Sequence, residues 1–517
     1  MFTTPAGSPS RFSRRSALHL AGAIGLAGVA AGCTDTSGVS ADGPSTKATV
    51  GDFQIPDWAD APTAESTLRW VDSGDLKALF FKAFFDAYQQ KFDTIKADYK
   101  GTNWNTIQQS ITLGLRNGTA PDVFQLPSTI STPVAVKQGW LRAFDDVLPG
   151  WSQLKPKLPV GMIANGVNEF DGKTYTLPIT QNTIGTLILL NKDLAGQAGI
   201  DVDQSFTLDS FGQAVRAATK KGAGKYYGLV DYLAQPNGMN AACATMAQLS
   251  GMAGGADNNP EASINYRTGE LNYTDPILAD VIDWYLGLQK DGCFLPGSVS
   301  LDAPGARERF PQGQSAFIFQ GPHNIGLWGR DYPDLNLGVA LAPVQQADKI
   351  ATVTVRPGGG NGYCIAAASK SAAIAGQVFS YVLSEDGQRH WSYYCASGDP
   401  AAFPPDDLKL GPLDAKAEEW RRKYVLIGPS PTVRNPDMIK VSQSLVAPQP
   451  ALHDVCTALF TGEATNIKKE LKSLQDRANR AIDDAIATAK KDGAKVSRED
   501  YVFSDWDPSK PYEQLYK

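Results

Sequence analysis

The sequence predicts an α/β protein of two or three domains, and three observations carry that prediction. Short β-rich stretches alternate with helical patterns, which implies parallel sheets covered on both faces. From residue 66 the chain runs on to residue 517, and at about 100–200 residues per domain that length supports two or three cores. A content of 33 Pro and 49 Gly beside 42% hydrophobic residues fits a globular body rich in loops.

The first β-rich stretch is Thr67-Leu68-Arg69-Trp70-Val71. A turn follows at Asp72-Ser73-Gly74-Asp75, after which Leu76, Phe80, Phe84, Tyr88 and Phe92 recur every fourth residue. That spacing places them on one helical face, with Asp72 or Ser73 as a suitable N-cap. Ile107 to Leu115 reads as a second helix closed by Asn117-Gly118, and Pro121 to Leu126 as a buried strand that ends at Pro127-Ser128. In such sheets ligands sit beyond the carboxyl ends of the strands, so Ser73, Gly74, Gln125 and Ser128 lie at the expected edge. Further on, Leu337-Gly338-Val339-Ala340 reads as a strand and Ile467 to Ala489 as an amphipathic helix. The tail beyond it, with Phe503, Trp506 and Tyr512, carries too many aromatics for a disordered segment.

The chain begins with an export pattern. Its first 32 residues hold Arg11, Arg14 and Arg15 and no acid, and the apolar run from Ala17 to Gly32 is too short and glycine-rich to anchor as a span of about 20 apolar residues. Arg14-Arg15 resembles the pair of a twin-arginine signal, and Val29-Ala30-Ala31-Gly32-Cys33 resembles a bacterial lipobox, whose cysteine is acylated after cleavage. The expectation is a signal over 1–32, a lipid on Cys33, and a flexible linker over 33–65, a stretch rich in Ser, Thr, Asp, Gly, Ala and Pro. The protein then sits on the extracellular face of the cell membrane, held by the lipid alone. An ordinary cleaved signal with an incidental Cys33 would release it instead.

Taking the signal's three arginines from 48 basic residues leaves 45 against 54 acidic ones, a formal net charge of −9. Such a surface, without a Lys/Arg block, does not neutralise nucleic-acid phosphates or attract anionic lipid headgroups. Apart from Cys33 the cysteines are Cys243, Cys293, Cys364, Cys395 and Cys456, an odd number with no C-x-x-C spacing. That argues against a metal cluster and leaves two options open: one or two disulfides, with Cys364–Cys395 and Cys243–Cys293 paired by proximity, or buried free thiols.

Several pieces, in order, resemble the extracellular solute-binding proteins of ABC importers, in the carbohydrate-type branch related to maltose-binding protein. They are Gly118-Thr119-Ala120-Pro121-Asp122-Val123, Gly139-Trp140-Leu141 with Phe144-Asp145-Asp146, and Asp171-Gly172-Lys173-Thr174-Tyr175-Thr176-Leu177-Pro178. Leu190-Asn191-Lys192-Asp193-Leu194, Ala198-Gly199-Ile200, Thr207-Leu208-Asp209-Ser210-Phe211 and Phe310-Pro311-Gln312-Gly313-Gln314-Ser315-Ala316-Phe317 continue the series. The resemblance implies a two-lobed periplasmic-binding-protein type II fold, each lobe a mainly parallel sheet flanked by helices, with three crossovers. Residues 66–180 with 350–397 would form one lobe, and 181–349 with 398–517 the other, with an extended C-terminus. The crossovers are expected at Thr180-Gln181-Asn182, near Ala342 to Thr352 and near Ala396 to Pro404.

It further implies a monomeric receptor without catalysis, cofactor or metal, which captures a sugar or oligosaccharide and delivers it to the ABC permease. Ligand contacts are expected from Ser73, Gly74, Gln125 and Ser128 on the first lobe, Gln181 and Asn182 at the hinge, and Gln320, His323 and Asn324 after Phe319. Gly359, Gly360 and Asn361 would let the backbone approach the ligand. Tyr232, Trp70, Trp104, Trp328 and Trp391 are candidates for stacking on a sugar face. The alternatives are a glycerophosphodiester, favoured if Arg69, Arg307, Arg309 or Arg356 faces the cleft, a polyol, a peptide, or a secreted glycoside hydrolase. No G-x-S-x-G or H-E-x-x-H motif supports the last.

Overall fold

The computed structural model describes residues 50–516 apart from 59–63, 128, 129, 203, 397, 406 and 408, and only the backbone of Asn105 and Asn361. The expected signal, Cys33 and Ser128 lie outside the described residues.

The first elements form where the patterns place them. Strand β1 (Ser66–Asp72) leads to helix α1 (Leu76–Lys91), strand β2 (Ile95–Gly101), helix α2 (Trp104–Asn117) and strand β3 (Val123–Gln125). The α1 face of Leu76, Phe80, Phe84 and Tyr88 is buried, as the four-residue spacing requires. Asn103 caps α2 by accepting the Thr106 N–H, and Gly118 ends it at φ 68°, a left-handed turn that suits glycine. Helix α1 is capped differently from expectation. Its cap residue is Asp75 at φ 58° with no side-chain cap bond, and Asp72 is drawn elsewhere.

The first sheet runs β2, β1, β3, 360–366, 141–142, with 177–180 also paired to 360–366. β1 is parallel to β2 and β3, whereas 360–366 is antiparallel to all three of its neighbours. The second sheet runs 337–341, 187–191, 315–320, 227–230, and only its last pair is parallel. The α/β class therefore holds with mixed rather than mainly parallel sheets. The cause is connection: segments that return from the other sheet, such as 360–366, enter against the local strand direction.

Each sheet has its own core. Trp70, Phe80, Phe81, Phe84, Tyr381 and Trp391 lie in one, and Leu187, Ile188, Leu189, Phe211, Tyr285 and Phe317 lie in the other. A third cluster with Ile107, Ile111, Phe124 and Cys364 covers the far face of the first sheet. The chain passes between the sheets three times: from Thr180 to Leu187, from Leu341 to Gly360, and after the helix Glu385–Cys395, whose Trp391 belongs to the first core, to the helix Pro412–Tyr424, whose Ala417 belongs to the second.

Two terminal segments add to this frame. Residues 50–58 are not free chain, which shortens the linker expected over 33–65. Phe53 stacks on His390 at 4.1 Å, Gly51 O lies 2.9 Å from the ring Nε2 of His390, and Gln54 donates its N–H to Asp386. The C-terminal helix Ile467–Lys491 buries Leu471, Leu474, Ala478, Ile482 and Ala485. The tail then folds back. Phe503 donates to Tyr266 O, Tyr512 donates to Ile427 O, and Arg434 lies 3.7 Å over the Phe503 ring while donating to three tail carbonyls.

All five cysteines among the described residues are buried free thiols, so neither suggested disulfide forms. Replacing Phe53 by Ala removes the ring that holds residues 50–58, and we expect a loss of roughly 2 kcal/mol and about 4–8 °C in Tm. Thermal unfolding with and without the substitution checks this; an unchanged Tm would mean that the segment contributes nothing to stability.

Candidate functional site

The carboxyl ends of β1 and β3 are organised by Asp72. This fully buried carboxylate accepts from the Gly74 N–H at 2.8 Å, Tyr99 OH at 2.8 Å, Tyr363 OH at 2.9 Å and Trp70 Nε1–H at 3.3 Å. Burial raises its pKa against the pull of Lys77 and of these donors. Held in this way, the turn presents Ser73 and Asp75. The Ser73 N–H donates to Gln125 Oε1 at 2.8 Å, so Gln125, almost fully buried, fixes the turn from below.

The second sheet offers two loops at matching strand ends. After 227–230 comes Asp231, whose carboxylate takes Tyr285 OH and the Tyr232 N–H, both at 2.7 Å. Burial lifts its pKa to about 6, against the pull of Tyr285 and the Tyr232 and Met239 amides. Tyr232 is buried and donates its hydroxyl to Asn237 O at 2.6 Å, beside Gln320 and Arg307. The strand 315–320 ends on Gln320, and His323 and Asn324 follow it. Asn324 Nδ2 reaches Gln320 Oε1 at 3.3 Å, Gly321 O at 3.1 Å and His323 Nε2 at 3.1 Å.

These edges face one another. Arg307 of the second lobe stands 3.9 Å from Asp75 of the first, and Lys77, nearly buried, pairs with Asp399 at 3.3 Å. Burial works against the charge of Lys77, but Asp399, Asp75 and Asp72 outweigh it and hold the ammonium above the usual lysine range.

The hinge residues do something other than wait for ligand. Gln181 donates its N–H to Pro400 O and its amide to the carbonyls of Ala401 and Ala402, while its Oε1 accepts from Arg421. Asn182 Nδ2 reaches Arg356 O at 3.3 Å. Together they bind the three crossovers to one another and to the helix Pro412–Tyr424. The glycines are likewise structural. A Cβ at Gly359 would lie 2.7 Å from Pro178 Cβ, and one at Gly360 2.6 Å from Thr180 Oγ1, so the first and second crossovers meet only because both are glycine. A cavity of about 110 Å³ between Gln181, Asn182, Gly359 and Arg421 is a place for a few waters.

Of the stacking candidates, Trp70 and Trp391 are core residues, and Trp328 is buried with its Nε1–H on Arg307 O. Trp104 alone of these is open, 47% exposed at the start of α2. Arg307, one of the arginines considered for the cleft, faces Asp75, which closes the same turn as Ser73; Asp231, the support of Tyr232, is not among the expected residues. Arg69 is taken by Asp122 and Arg309 by Gln314.

Two sheets joined at one edge by three bound crossovers, with polar loops opposed across the gap, define a hinge-bending binding protein. Residues 74–389 match the family model of the bacterial extracellular solute-binding proteins, and the chain belongs to that family. Membership implies export, and among the described residues no helix is long and apolar enough to cross a membrane.

The diacetylchitobiose binding protein DasA of Streptomyces coelicolor is 29% identical over 28% of this chain; the match spans 31% of that relative's length. Among solved structures, the maltose/maltodextrin-binding domain MalE of Bdellovibrio bacteriovorus bound to maltotriose is similar with a TM-score of 0.60, at 18% identity over 81% of this chain and all 100% of that one. The substrate-binding protein Lmo0181 of Listeria monocytogenes in complex with cycloalternan gives 0.58, at 17% identity over 81% of this chain and 99% of that one. At such identities they establish the fold.

Two outcomes follow from this geometry. Gln181→Ala removes two donor contacts and leaves Arg421 short of an acceptor, and should cost about 2–3 kcal/mol in urea unfolding. Asp231, with a folded pKa of about 6, binds a proton before the unfolded chain does, so on its account stability rises as the pH falls from about 6 toward 4. Urea midpoints at pH 7 and pH 5 should show the wild type gaining on Asp231→Asn at the lower pH; equal changes would refute the assignment.

Proposed function

We propose that this protein is the receptor of an ABC importer for a sugar or oligosaccharide, held to the outer face of the membrane by a lipid on Cys33. We assign 66–180 with 350–397 to one lobe and 181–349 with 398–517 to the other, the ligand lying between Ser73, Asp75 and Trp104 on one side and the Tyr232 and Gln320 loops on the other. Closure is a population shift, favoured by cargo only through contacts to both lobes at once.

The observation that carries the reading is the opposition of the two strand-end clusters across a hinge, in which charges are already matched. Arg307 faces Asp75, and Lys77 is held by Asp399, so the gap favours a neutral ligand over an anion such as a glycerophosphodiester. The carbohydrate ligands named for DasA, MalE and Lmo0181 support the same class. A glycoside hydrolase needs an acid and a base free to exchange protons. The buried carboxylates here, Asp72 and Asp231, are each committed to several donors, which favours a receptor without catalysis.

Thermal unfolding against sugars, oligosaccharides, polyols, glycerophosphodiesters and peptides tests the class. A ligand at 100 times its Kd adds about 2.7 kcal/mol, roughly 5–10 °C for lobes of this size, and we expect it from a carbohydrate recovered intact. A shift only with an anion or a peptide would replace the sugar, and a cleaved product would replace the receptor. For the anchor, Cys33→Ala should move the protein from the membrane fraction to the soluble one; unchanged partitioning would remove the lipid from the account.

A further inference from the structure

We propose that His323 is a pH-sensitive latch between the lobes: the closed arrangement needs a neutral imidazole at this position, and its protonation drives the lobes apart.

His323 begins the helix His323–Asp331, at the carboxyl end of the second-sheet strand 315–320. It meets the third crossover, and through the same helix the first lobe, at very short range. A Cβ built on Gly398 would fall 2.6 Å from the Cα of His323, and one turn on, a Cβ on Gly326 would fall 2.7 Å from Leu76 Cδ1 of α1. Glycine at both positions lets the helix seat against α1 and the segment around Asp399, so opening the hinge must pull His323 out of this seat.

The charges around the ring come from three elements: Asp75 and Lys77 of α1, Arg307 of the helix Ala303–Arg309, and Asp399. Both carboxylates already have a cation, Asp75 with Arg307 at 3.9 Å and Asp399 with Lys77 at 3.3 Å. An imidazolium would be a third cation among two anions. The hydrogen bonding at the ring also suits the neutral form. Its Nε2 lies 3.1 Å from Asn324 Nδ2, a donor whose remaining contacts are the oxygens Gln320 Oε1 and Gly321 O. Nε2 is thus an acceptor, and a proton there would meet an N–H.

Burial accordingly lowers the pKa of His323 to about 4, with Arg307 and Lys77 adding to the fall and Asp75 and Asp399 opposing it. Released into water, the ring returns toward about 6.5. The open form then takes the proton first, so closure is fully favoured above about pH 6.5 and lost progressively as the pH falls toward 4. Between pH 7.5 and 5 the closed-to-open ratio is expected to drop by roughly thirtyfold at most.

The inference rests on the receptor reading only in taking the two sheets as lobes that move about the hinge. The test therefore uses the mature chain without sugar, so a wrong cargo leaves it intact. Small-angle scattering at pH 7.5 and pH 5 should show the radius of gyration rising in the wild type and constant in His323→Gln, with circular dichroism confirming folded protein. Should that variant not fold, His323→Asn takes its place. NMR titration of the histidine C–H resonances, with the His323 signal identified by its loss in the variant, should give a midpoint below that of a free histidine. A radius unchanged between the two pH values, an expansion equal in wild type and variant, or a His323 midpoint at the ordinary value would each overturn the latch.

Discussion

The carboxamide of Gln181 is the contact on which the rest of this architecture depends. A hinge built from three separate strands of chain is useful only if the strands move as one, and backbone pairing alone does not bind them. Thr180 touches Ala401 through a single bridge and Gly360 through the end of a ladder. Gln181 adds a side chain that gives two protons to the third crossover and takes one from Arg421. With both its donor and acceptor ends used, it can neither rotate nor bind ligand without breaking the join, and for that reason it belongs to the frame more than to the cleft.

A rigid hinge passes its motion to rigid edges. On the first lobe Asp72 gathers groups from residues 70, 74, 99 and 363, fastening the ends of β1, β2 and the inserted strand 360–366 to one carboxylate. On the second lobe Asp231 does the same for its own loop through Tyr285 and the Tyr232 amide. Each buried acid costs free energy in desolvation, visible in its raised pKa, and several aligned donors offset that cost. The two edges thereby keep their shape while the distance between them changes.

What the sequence made legible follows from range. The α1 face, the Gly118 stop and the long C-terminal helix are local patterns, and they appear where periodicity and capping put them. Asp72 was read as a helix cap because its neighbours in sequence allow that role. Its real partners Tyr99 and Tyr363 lie 27 and 291 residues away. Gly359, Gly360 and Asn361 read by composition as an opening toward ligand, whereas a Cβ at Gly359 or Gly360 would meet Pro178 or Thr180, a constraint no single-chain pattern encodes. The linker composition extends past residue 50, and the partnership of Phe53 with His390, remote in sequence, is what shows that residues 50–58 are packed.

The same geometry limits how strongly the protein can close by itself. The pair that spans the gap, Asp75 with Arg307, is 3.9 Å apart with side chains 39% and 22% exposed, and such an ion pair contributes on the order of 0–1 kcal/mol. Moving a population from mostly open to mostly closed needs about 5.5 kcal/mol of preference for one state. The difference must come from the seat of His323 and from a ligand that touches both edges. A weak spanning pair is therefore what a receptor requires: strong enough to orient the lobes as they meet, too weak on its own to hold them shut.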